Sequence, residues 1–396
     1  MKMQSLILRV RGYRRGMTAV LFGMLLPVFI GFSALSIDTA VLATARSQLS
    51  TAADAAALAG AQQLATESRV RGATDVSGPI AAANAQAAAF AGSNNVLGQG
   101  VSVVQNPSNA SGGDVMVGYL NPNVPTSTMV TAAGSAPIFN AVQVIAARSA
   151  DRGGLVPNYF GGLMGFRGSA VSVQSTAVVQ NYSIVGFKSV HSESANLLPM
   201  VLDVTTYTKM IARQTTDSYS YNPATNQVSS GADGVYESVL FPVSSGQPGN
   251  WGTIKVGVSN NSTSVLGAQI LNGITPDQLA TFPGGVIQLD GTQTPPSIIF
   301  SGNPGISAGI KGELTSIIGK PVTIPIYDTN DGDGNGNNAW YRVIQFAGCR
   351  IVDVNFQGNP KYVVIQPALV NDPTAIVGTP QSSWTSGGQI VLHLAK

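Results

Sequence analysis

One acidic segment, residues 328–338, has residue types and a spacing that suit a divalent cation. It reads DTNDGDGNGNN. Counted from Asp331, oxygen-bearing side chains occupy loop positions 1, 3 and 5, and Gly336 occupies position 6, as in a calcium loop. Position 12 is Arg342, where a complete site has a bidentate glutamate. The segment is therefore either a solvated hairpin tip or a weak calcium site. The ligands of that site would be Asp331, Asp333 and Asn335.

The side chains that usually carry catalysis are scarce. The only histidines are His191 and His393, and neither lies beside a Ser or Cys motif of the nucleophile type. The sequence contains no GxxxxGK[ST] loop and no GxGxxG that follows a strand, so no nucleotide phosphate site is expected. The single cysteine, Cys349, lies in an apolar strand-like segment that is typical of an inert core thiol. We expect no catalytic residue, no cofactor beyond the weak calcium candidate and no enzymatic activity.

The charge distribution separates the first residues from the rest of the chain. Charged residues make up 10% of the 396 residues and the formal net charge is +2. No basic run follows residue 16, so we exclude nucleic acid as a partner. The positive side chains that precede this point are Lys2, Arg9, Arg11, Arg14 and Arg15.

An uncharged apolar segment, residues 17–37, follows this basic start. As a helix it would extend about 31 Å, the thickness of a bilayer core. Pro27 lies within it, and proline is tolerated in membrane helices. Because the positive charges precede the segment, the positive-inside rule places residues 1–16 in the cytoplasm and the body outside. We expect a single-pass protein of the inner (cytoplasmic) membrane, with the lipid bilayer as the partner of residues 17–37.

A cleaved signal peptide is the alternative interpretation of this segment. Ala43-Thr44-Ala45 has the small-x-small form that signal peptidase accepts. The apolar stretch is longer than the hydrophobic region of a typical signal peptide, and the helical pattern continues through the candidate cleavage site. Both interpretations export the same body.

An alanine-rich segment continues the helical pattern to about Thr66. Its small residues recur at spacings of three and four, which places them on one face of a helix. A second alanine-rich stretch, residues 80–90, could pack on this face as an intramolecular hairpin. Alternatively, the face allows self-association through the stalk helix. The stripe consists of Leu42, Ala45, Leu49, Ala52, Ala56 and Ala59.

Several motifs surround the apolar segment: Arg14-Arg15-Gly16 before it, Ile37-Asp38 after it, and AADAAALAGA at residues 52–61. Together with Arg46 and Gln48-Leu49, they resemble the TadG-like family of the tight-adherence (Tad) machinery, which assembles Flp pili. The resemblance covers about residues 10–65. A planctomycete-type subgroup is similar in further stretches, which are residues 197–199, 246–252, 260–263 and 305–309.

Two features depart from what this resemblance implies. Pilins that prepilin peptidase processes carry a glutamate five residues after the cleaved glycine, and Leu21 occupies that place after Gly16. We therefore do not expect processing at Gly16. Many members also carry a von Willebrand A domain, whose metal loop begins with an aspartate. Asp203 is the nearest candidate here, but Tyr207 occupies the last ligand position, which favours a strand end without metal.

The remaining sequence predicts an α+β body. Thr275 offers an N-cap hydroxyl, Pro276 suits the first helical turn, and Gln278 completes a capping box. Further helices are expected at 262–271 and 306–318, and an amphipathic segment at 156–163. Strands are expected at 101–104, 114–119, 141–146, 170–179, 253–258, 297–300, 322–327, 340–346, 349–356, 362–368 and 389–394.

The predicted architecture is an N-terminal transmembrane helix that continues into an Ala-rich stalk helix, followed by two β-rich units with a few short helices. Its parts are a cytoplasmic basic segment (1–16), a transmembrane helix (17–37), an Ala-rich helical stalk or hairpin (38–92), a small β-rich domain (93–183) and an α+β C-terminal domain (184–396).

Three functions remain open. The resemblance implies a non-catalytic, membrane-anchored component of a Tad/Flp pilus-assembly apparatus, with a periplasmic body that binds other pilus-assembly proteins. The acidic segment would also suit a calcium-stabilised surface adhesin or binding module on the same anchor. An anchored enzyme is the third, supported only by scattered carboxylates such as Asp203, Asp233 and Glu237.

Overall fold

The computed structural model describes residues 13–72, 77–121, 124, 128–131, 139–240, 251–303, 308–331, 339–357, 361–381 and 383–395. The helices are α1 (Tyr13–Gln62), α2 (Glu67–Val70), α3 (Ser77–Ser93), α4 (Val204–Ile211), α5 (Thr263–Asn272), α6 (Pro276–Leu279) and α7 (Lys311–Ser316). Short 3-10 helices are η1 (Gly161–Met164), η2 (Pro283–Gly285) and η3 (Ala308–Ile310).

The strands are β1 (Asn95–Val96), β2 (Gln99–Gly100), β3 (Val115–Gly118), β4 (Ala141–Arg148), β5 (Val156–Pro157), β6 (Gly168–Ser169), β7 (Val171–Lys188), β8 (Met200–Asp203), β9 (Tyr219–Asn222), β10 (Gln227–Ser230), β11 (Ser238–Leu240), β12 (Trp251–Ile254), β13 (Val286–Gln288), β14 (Ile298–Asn303), β15 (Pro321–Asp331), β16 (Ala339–Asn355), β17 (Tyr362–Pro367), β18 (Leu369–Val370), β19 (Ala375–Pro380) and β20 (Gly388–Leu394). A long apolar helix thus precedes a β-rich body with a few short helices, which confirms the α+β prediction.

Helix α1 is 50 residues long and continues through Pro27. Alanine, the best helix former, dominates its second half, and no proline occurs there. At 1.5 Å per residue the helix extends about 75 Å, more than twice the thickness of a bilayer core. Only part of α1 can therefore lie in lipid. The helix ends at Gln62, slightly before the predicted end at Thr66.

Strand β7 is the longest strand and holds much of the body together. Its first half pairs with β4, and its middle pairs with β20. Its second half pairs with β19 and β13, and it also meets β16 at Ile184. All these pairings are antiparallel. The boundary predicted between residues 183 and 184 falls inside this strand. One sheet, which has 14 strands within the described residues, continues across it.

Five strands of this sheet close into a ring in the order β14, β12, β8, β15 and β16, because β16 pairs with β14 as well as with β15. One buried cluster of this region contains Phe300, Tyr327 and Tyr341. The rings of Tyr327 and Tyr341 meet edge to face with centroids 5.0 Å apart. A Cβ on Gly252 would lie 2.0 Å from the Tyr341 hydroxyl, so only glycine allows β12 to approach so closely.

Short helix α2 joins the N-terminal helices to the C-terminal half through buried cations. The Arg69 guanidinium lies 4.6 Å from the centre of the Trp384 ring. The Arg350 guanidinium lies 3.4 Å from the centre of the Tyr221 ring and forms an ion pair with Glu67. Burial lowers the pKa of Arg69 to about 10. Cation–π contacts of this kind are stronger when they are desolvated, so they stabilise the junction.

The predicted helix starts agree well with the structure. Thr275 and Gln278 form both bonds of a capping box, at 3.3 Å and 3.1 Å, and α6 begins at Pro276. Helix α5 is capped by the Ser262 side chain and ends before Gly273, which has a φ of 74°. The segment predicted at 306–318 is divided into η3 and α7, and residues 304–307 lie outside the described residues.

Some strand predictions need correction. Residues 101–104 are not a strand, although Val101 and Val103 are buried as the prediction requires. They pack against the core without a partner strand. The segments predicted at 340–346 and 349–356 are one strand, β16, because Ala347 and Gly348 continue its pairing with β15. The segment predicted as amphipathic at 156–163 forms β5 and the start of η1.

Candidate functional site

The first half of α1 exposes its apolar side chains. Between Val20 and Ile37 the large apolar side chains are 42–72% exposed, and none of these residues is buried by the body. Among the described residues, α1 is the one helix that is long and apolar enough to cross a membrane. Exposing so much apolar surface to water is unfavourable, whereas a bilayer core accommodates it.

Asp38 marks the point at which α1 meets the body. Its carboxylate accepts hydrogen bonds from the backbone N–H groups of Tyr159 and Gly161, both at 2.7 Å, and of Phe160 at 3.2 Å. The side chain is 9% exposed. Burial acts to raise the pKa of Asp38, but the three backbone donors outweigh it and hold the pKa below its usual value. Asp38 therefore stays ionised and fixes the loop that follows β5.

The second half of α1 buries its small residues inside the protein. Within the predicted stripe Ala45, Leu49, Ala52, Ala56 and Ala59 are buried and Leu42 is partly buried. Helix α3 and strands β4 and β7 cover this face.

Gly60 shows how close this packing is. A Cβ there would lie 3.0 Å from Val142 Cγ1 and 3.1 Å from the Ala83 carbonyl oxygen. The intramolecular hairpin is therefore the arrangement seen, and self-association through this face would require α3 to leave it.

Asp54 is the one carboxylate of the alanine-rich run, and it faces the sheet. Its Oδ1 accepts a hydrogen bond from the Ser175 hydroxyl at 2.6 Å. A cleft of about 540 Å³ opens beside the pair. Amides and hydroxyls from β4 and β7 line part of it and apolar side chains line the rest, so the cleft offers both hydrogen-bonding and apolar contacts. The lining residues include Gln143, Gln174, Thr176, Leu120 and Leu394.

Two family comparisons cover the region just described. A model described as putative Flp pilus-assembly, TadE/G-like, matches residues 16–63. A model described as putative Tad-like Flp pilus-assembly matches residues 59–177. Residues 16–177 are therefore similar to Tad-type Flp pilus-assembly proteins. No curated protein and no solved structure matches it.

The two Tad-type matches together cover α1 and the elements that pack against its second half. The first match contains the exposed span and the small-residue stripe of α1. The second begins at the end of α1 and reaches the middle of β7, so it contains α3, β3 and β4. Much of one buried cluster is contributed by these same elements. The sequence resemblance identified the first part, through residues about 10–65, but not the second. Apart from the stalk hairpin, the second part has no motif that sequence reasoning could have recognised.

The calcium candidate stays a prediction. Asp333 and Asn335 lie outside the described residues, and so does the side chain of Asp331, whose backbone ends β15. Arg342, at the position where a calcium loop needs glutamate, donates to Asp328 at 2.8 Å. No group of three His, Cys, Asp or Glu side chains suited to a metal occurs within the described ranges.

Asp203 has a structural partner in place of a metal. It is the N-cap of α4 and accepts a hydrogen bond from the Thr206 N–H at 2.9 Å. Tyr207 points into the body, where its hydroxyl donates to the Ser386 carbonyl at 2.9 Å. Burial raises the pKa of Tyr207 to about 12. Asp203 thus ends β8 and caps α4, and Tyr207 is held inside the body.

The other side chains considered for catalysis accept hydrogen bonds inside the body or are buried away from solvent. Asp233 accepts from Arg71 at 3.3 Å, and Glu237 accepts from the Ser218 N–H at 2.8 Å. Burial raises the pKa of Glu237 to about 7. Cys349 is buried, and burial raises the pKa of its thiol to about 12, so the reactive thiolate is suppressed.

Proposed function

We propose that this protein is a non-catalytic, membrane-anchored component of a Tad/Flp pilus-assembly apparatus, whose exported body binds other pilus-assembly proteins. The family matches over residues 16–177 carry the proposal, because they contain both the exposed span and the hairpin behind it. Tad-family proteins of this kind are generally structural.

The charge distribution supports an orientation. The positive side chains of the first sixteen residues precede the apolar half of α1, and the first charge after it is Asp38. By the positive-inside rule, α1 crosses the inner membrane with its N-terminus in the cytoplasm. The body then lies in the periplasm or outside the cell.

The chemistry of the described side chains supports a binding role. Among the described residues, the carboxylates considered for catalysis cap a helix or accept hydrogen bonds inside the body, and the thiol is buried. The cleft beside Asp54 offers hydrogen-bonding groups on strands β4 and β7. It is our candidate contact for another pilus-assembly protein. Self-association would have to use a surface other than the small-residue stripe, which α3 covers.

Gene deletion and complementation test this proposal. Deletion should abolish Flp pili, counted by electron microscopy, and the wild-type gene should restore them. A chain with Leu26→Arg, which places a charge in the span, should not restore them. Leu271→Arg places the same charge on an exposed residue of α5 and should restore them. Wild-type piliation in the deletion strain would refute the pilus role.

Fractionation and a C-terminal reporter test the anchor and its orientation. The full-length chain should remain in the membrane after alkaline extraction, and a periplasmic reporter at the C-terminus should be active. A reporter active only in the cytosol would contradict the orientation. Protection of the body from protease in intact cells would favour the periplasmic role over a surface adhesin.

A further inference from the structure

The tip of the β5–β6 hairpin, residues 158–167, exposes large apolar side chains. Tyr159 and Phe160 are 64% and 37% exposed, Met164 is 81% exposed and Phe166 is 70% exposed. They lie in one short loop that contains η1. A cluster of exposed aromatic and apolar side chains in a small loop marks an interaction surface.

This hairpin tip is bound to α1 at one position, Asp38. The backbone N–H groups of Tyr159, Phe160 and Gly161 all donate to Asp38, which immediately follows the exposed span. Asp38 is also the first buried residue of α1 within the part of the helix whose side chains are described. The tip therefore lies where the lipid-exposed surface of α1 ends.

We propose that the hairpin tip is a second membrane contact, which inserts Tyr159, Phe160, Met164 and Phe166 into the headgroup region of the leaflet from which α1 emerges. The proposal rests on the proposed function only in requiring that residues 18–37 span the membrane. Aromatic side chains concentrate at this interface because their rings are amphipathic. The side chain of Arg167 is exposed beside them and suits the phosphates of anionic lipids.

Asp38 makes such an insertion less costly. Polar backbone groups are expensive to bring toward the hydrocarbon region unless they have hydrogen-bond partners. Three N–H groups of the tip are paired with Asp38, and the same bonds satisfy its carboxylate. These three donors and the Asp38 carboxylate therefore approach the lipid already hydrogen-bonded to each other.

The position of the tip favours lipid over a protein partner. A bilayer that contains residues 18–37 has its surface near Asp38, and the tip is fixed to that residue. The apolar surface of the tip is thus continuous with the apolar surface of the span. A protein that covered the tip would have to displace the lipid that already surrounds the end of the span.

Single cysteine labels can test this contact in the full-length chain. Cys349 is buried with its pKa raised to about 12, so an added surface cysteine can be labelled selectively. Met164→Cys is labelled with bimane and reconstituted into phosphatidylethanolamine–phosphatidylglycerol vesicles. Lipids with a nitroxide near the headgroup should quench most of its fluorescence. Ile299→Cys, at an apolar residue that is 62% exposed on β14, should keep its fluorescence.

A third label distinguishes failure of this proposal from failure of the anchor. Gly23 lies in the span, and a Cβ added there would have no neighbouring atom within 4 Å, so bimane on Gly23→Cys should be quenched by a nitroxide deep in the acyl chain. Quenching at residue 23 without quenching at residue 164 would overturn the hairpin-tip contact and leave the anchor standing. Absence of quenching at residue 23 would overturn both. Equal quenching at residues 164 and 299 would show general adsorption and would also overturn it.

Discussion

The two halves of α1 share one helix and have opposite surroundings. In the first half large apolar side chains are exposed, and in the second half small side chains are buried against α3, β4 and β7. Side-chain size explains the difference. Leu and Phe side chains fill a lipid environment, whereas alanine and glycine let other backbones approach closely. Helical structure is therefore common to both halves, and side-chain size distinguishes an exposed apolar surface from a closely packed one.

The strongest test places arginine in the buried half. Ala56, a residue of the stripe, is completely buried, so Ala56→Arg would bury an unpaired charge and overfill the space around this face. We expect a loss of about 3–5 kcal/mol in the free energy of unfolding. Thermal melting of the detergent-solubilised chain measures this loss. Thr51→Arg, at an exposed position of the same helix, is the control, and equal melting of both variants would show that the stripe is not packed.

Arginine in the exposed half should have a different effect. Leu26 is 56% exposed and touches no core, so Leu26→Arg should leave the melting of the body unchanged. Its insertion into the membrane should become less favourable by about 3 kcal/mol, because the charge would lie in hydrocarbon. Alkaline extraction measures the fraction that remains in the membrane. Leu26→Val is the control, and full retention of the arginine variant would argue against a span at this position.

A pair of glycines sharpens the comparison. Gly60→Val would place methyl groups against Val142 and Ala83, where even a Cβ is crowded, and should destabilise the body by about 1–3 kcal/mol. Gly31→Val meets nothing within 4 Å and should not change the melting temperature. If the Gly31 variant melts lower than the Gly60 variant, the assignment of the two halves is wrong.

The pH dependence of stability should also distinguish the body, which contains Glu237, from the apolar half of α1. Folded Glu237 keeps its proton up to about pH 7, whereas an unfolded glutamate loses it near pH 4.5. Unfolding therefore releases a proton between these values, and stability falls as pH rises. From pH 5 to pH 8 we expect the body to lose on the order of 1–3 kcal/mol after allowance for screening.

Glu237→Gln should remove most of this slope in pH-dependent melting curves. Membrane retention of α1 should not change over the same range, since the span itself has no titratable group. A rise in stability with pH would contradict the assignment to Glu237.

The smallest effect concerns the Asp54–Ser175 hydrogen bond, which ties the buried half of α1 to β7. Ser175→Ala removes the donor and should cost about 1 kcal/mol. Ser172 lies on the same strand with its side chain exposed, so Ser172→Ala should change stability by less than about 0.5 kcal/mol. Chemical denaturation of both variants measures the difference. A larger loss for Ser172→Ala would show that Asp54 does not anchor the helix.

Structural features that depend on residues close together in the chain were predictable from the sequence. An uncharged apolar stretch after a basic start indicates a membrane span regardless of the rest of the chain. The recurrence of small residues indicates a buried helix face, and the Thr275 capping box indicates a helix start. Each depends on residues a few positions apart, so helix periodicity and capping chemistry were sufficient. Several strands were also predicted because apolar residues recur within them.

The partners of these features depended on the tertiary structure. Asp38 meets a loop 121–123 residues away, Arg350 meets Glu67 from 283 residues away, and β7 joins two regions that the sequence divides. No local periodicity encodes such contacts, because they form only when the sheet brings distant segments together. The sequence alone thus determined that the chain has an apolar segment long enough to cross a bilayer and a small-residue helix face. Only the tertiary fold decided that α3 and the sheet cover this face and that a hairpin tip lies at the end of the apolar segment. Packing selects among partners that the local sequence leaves open.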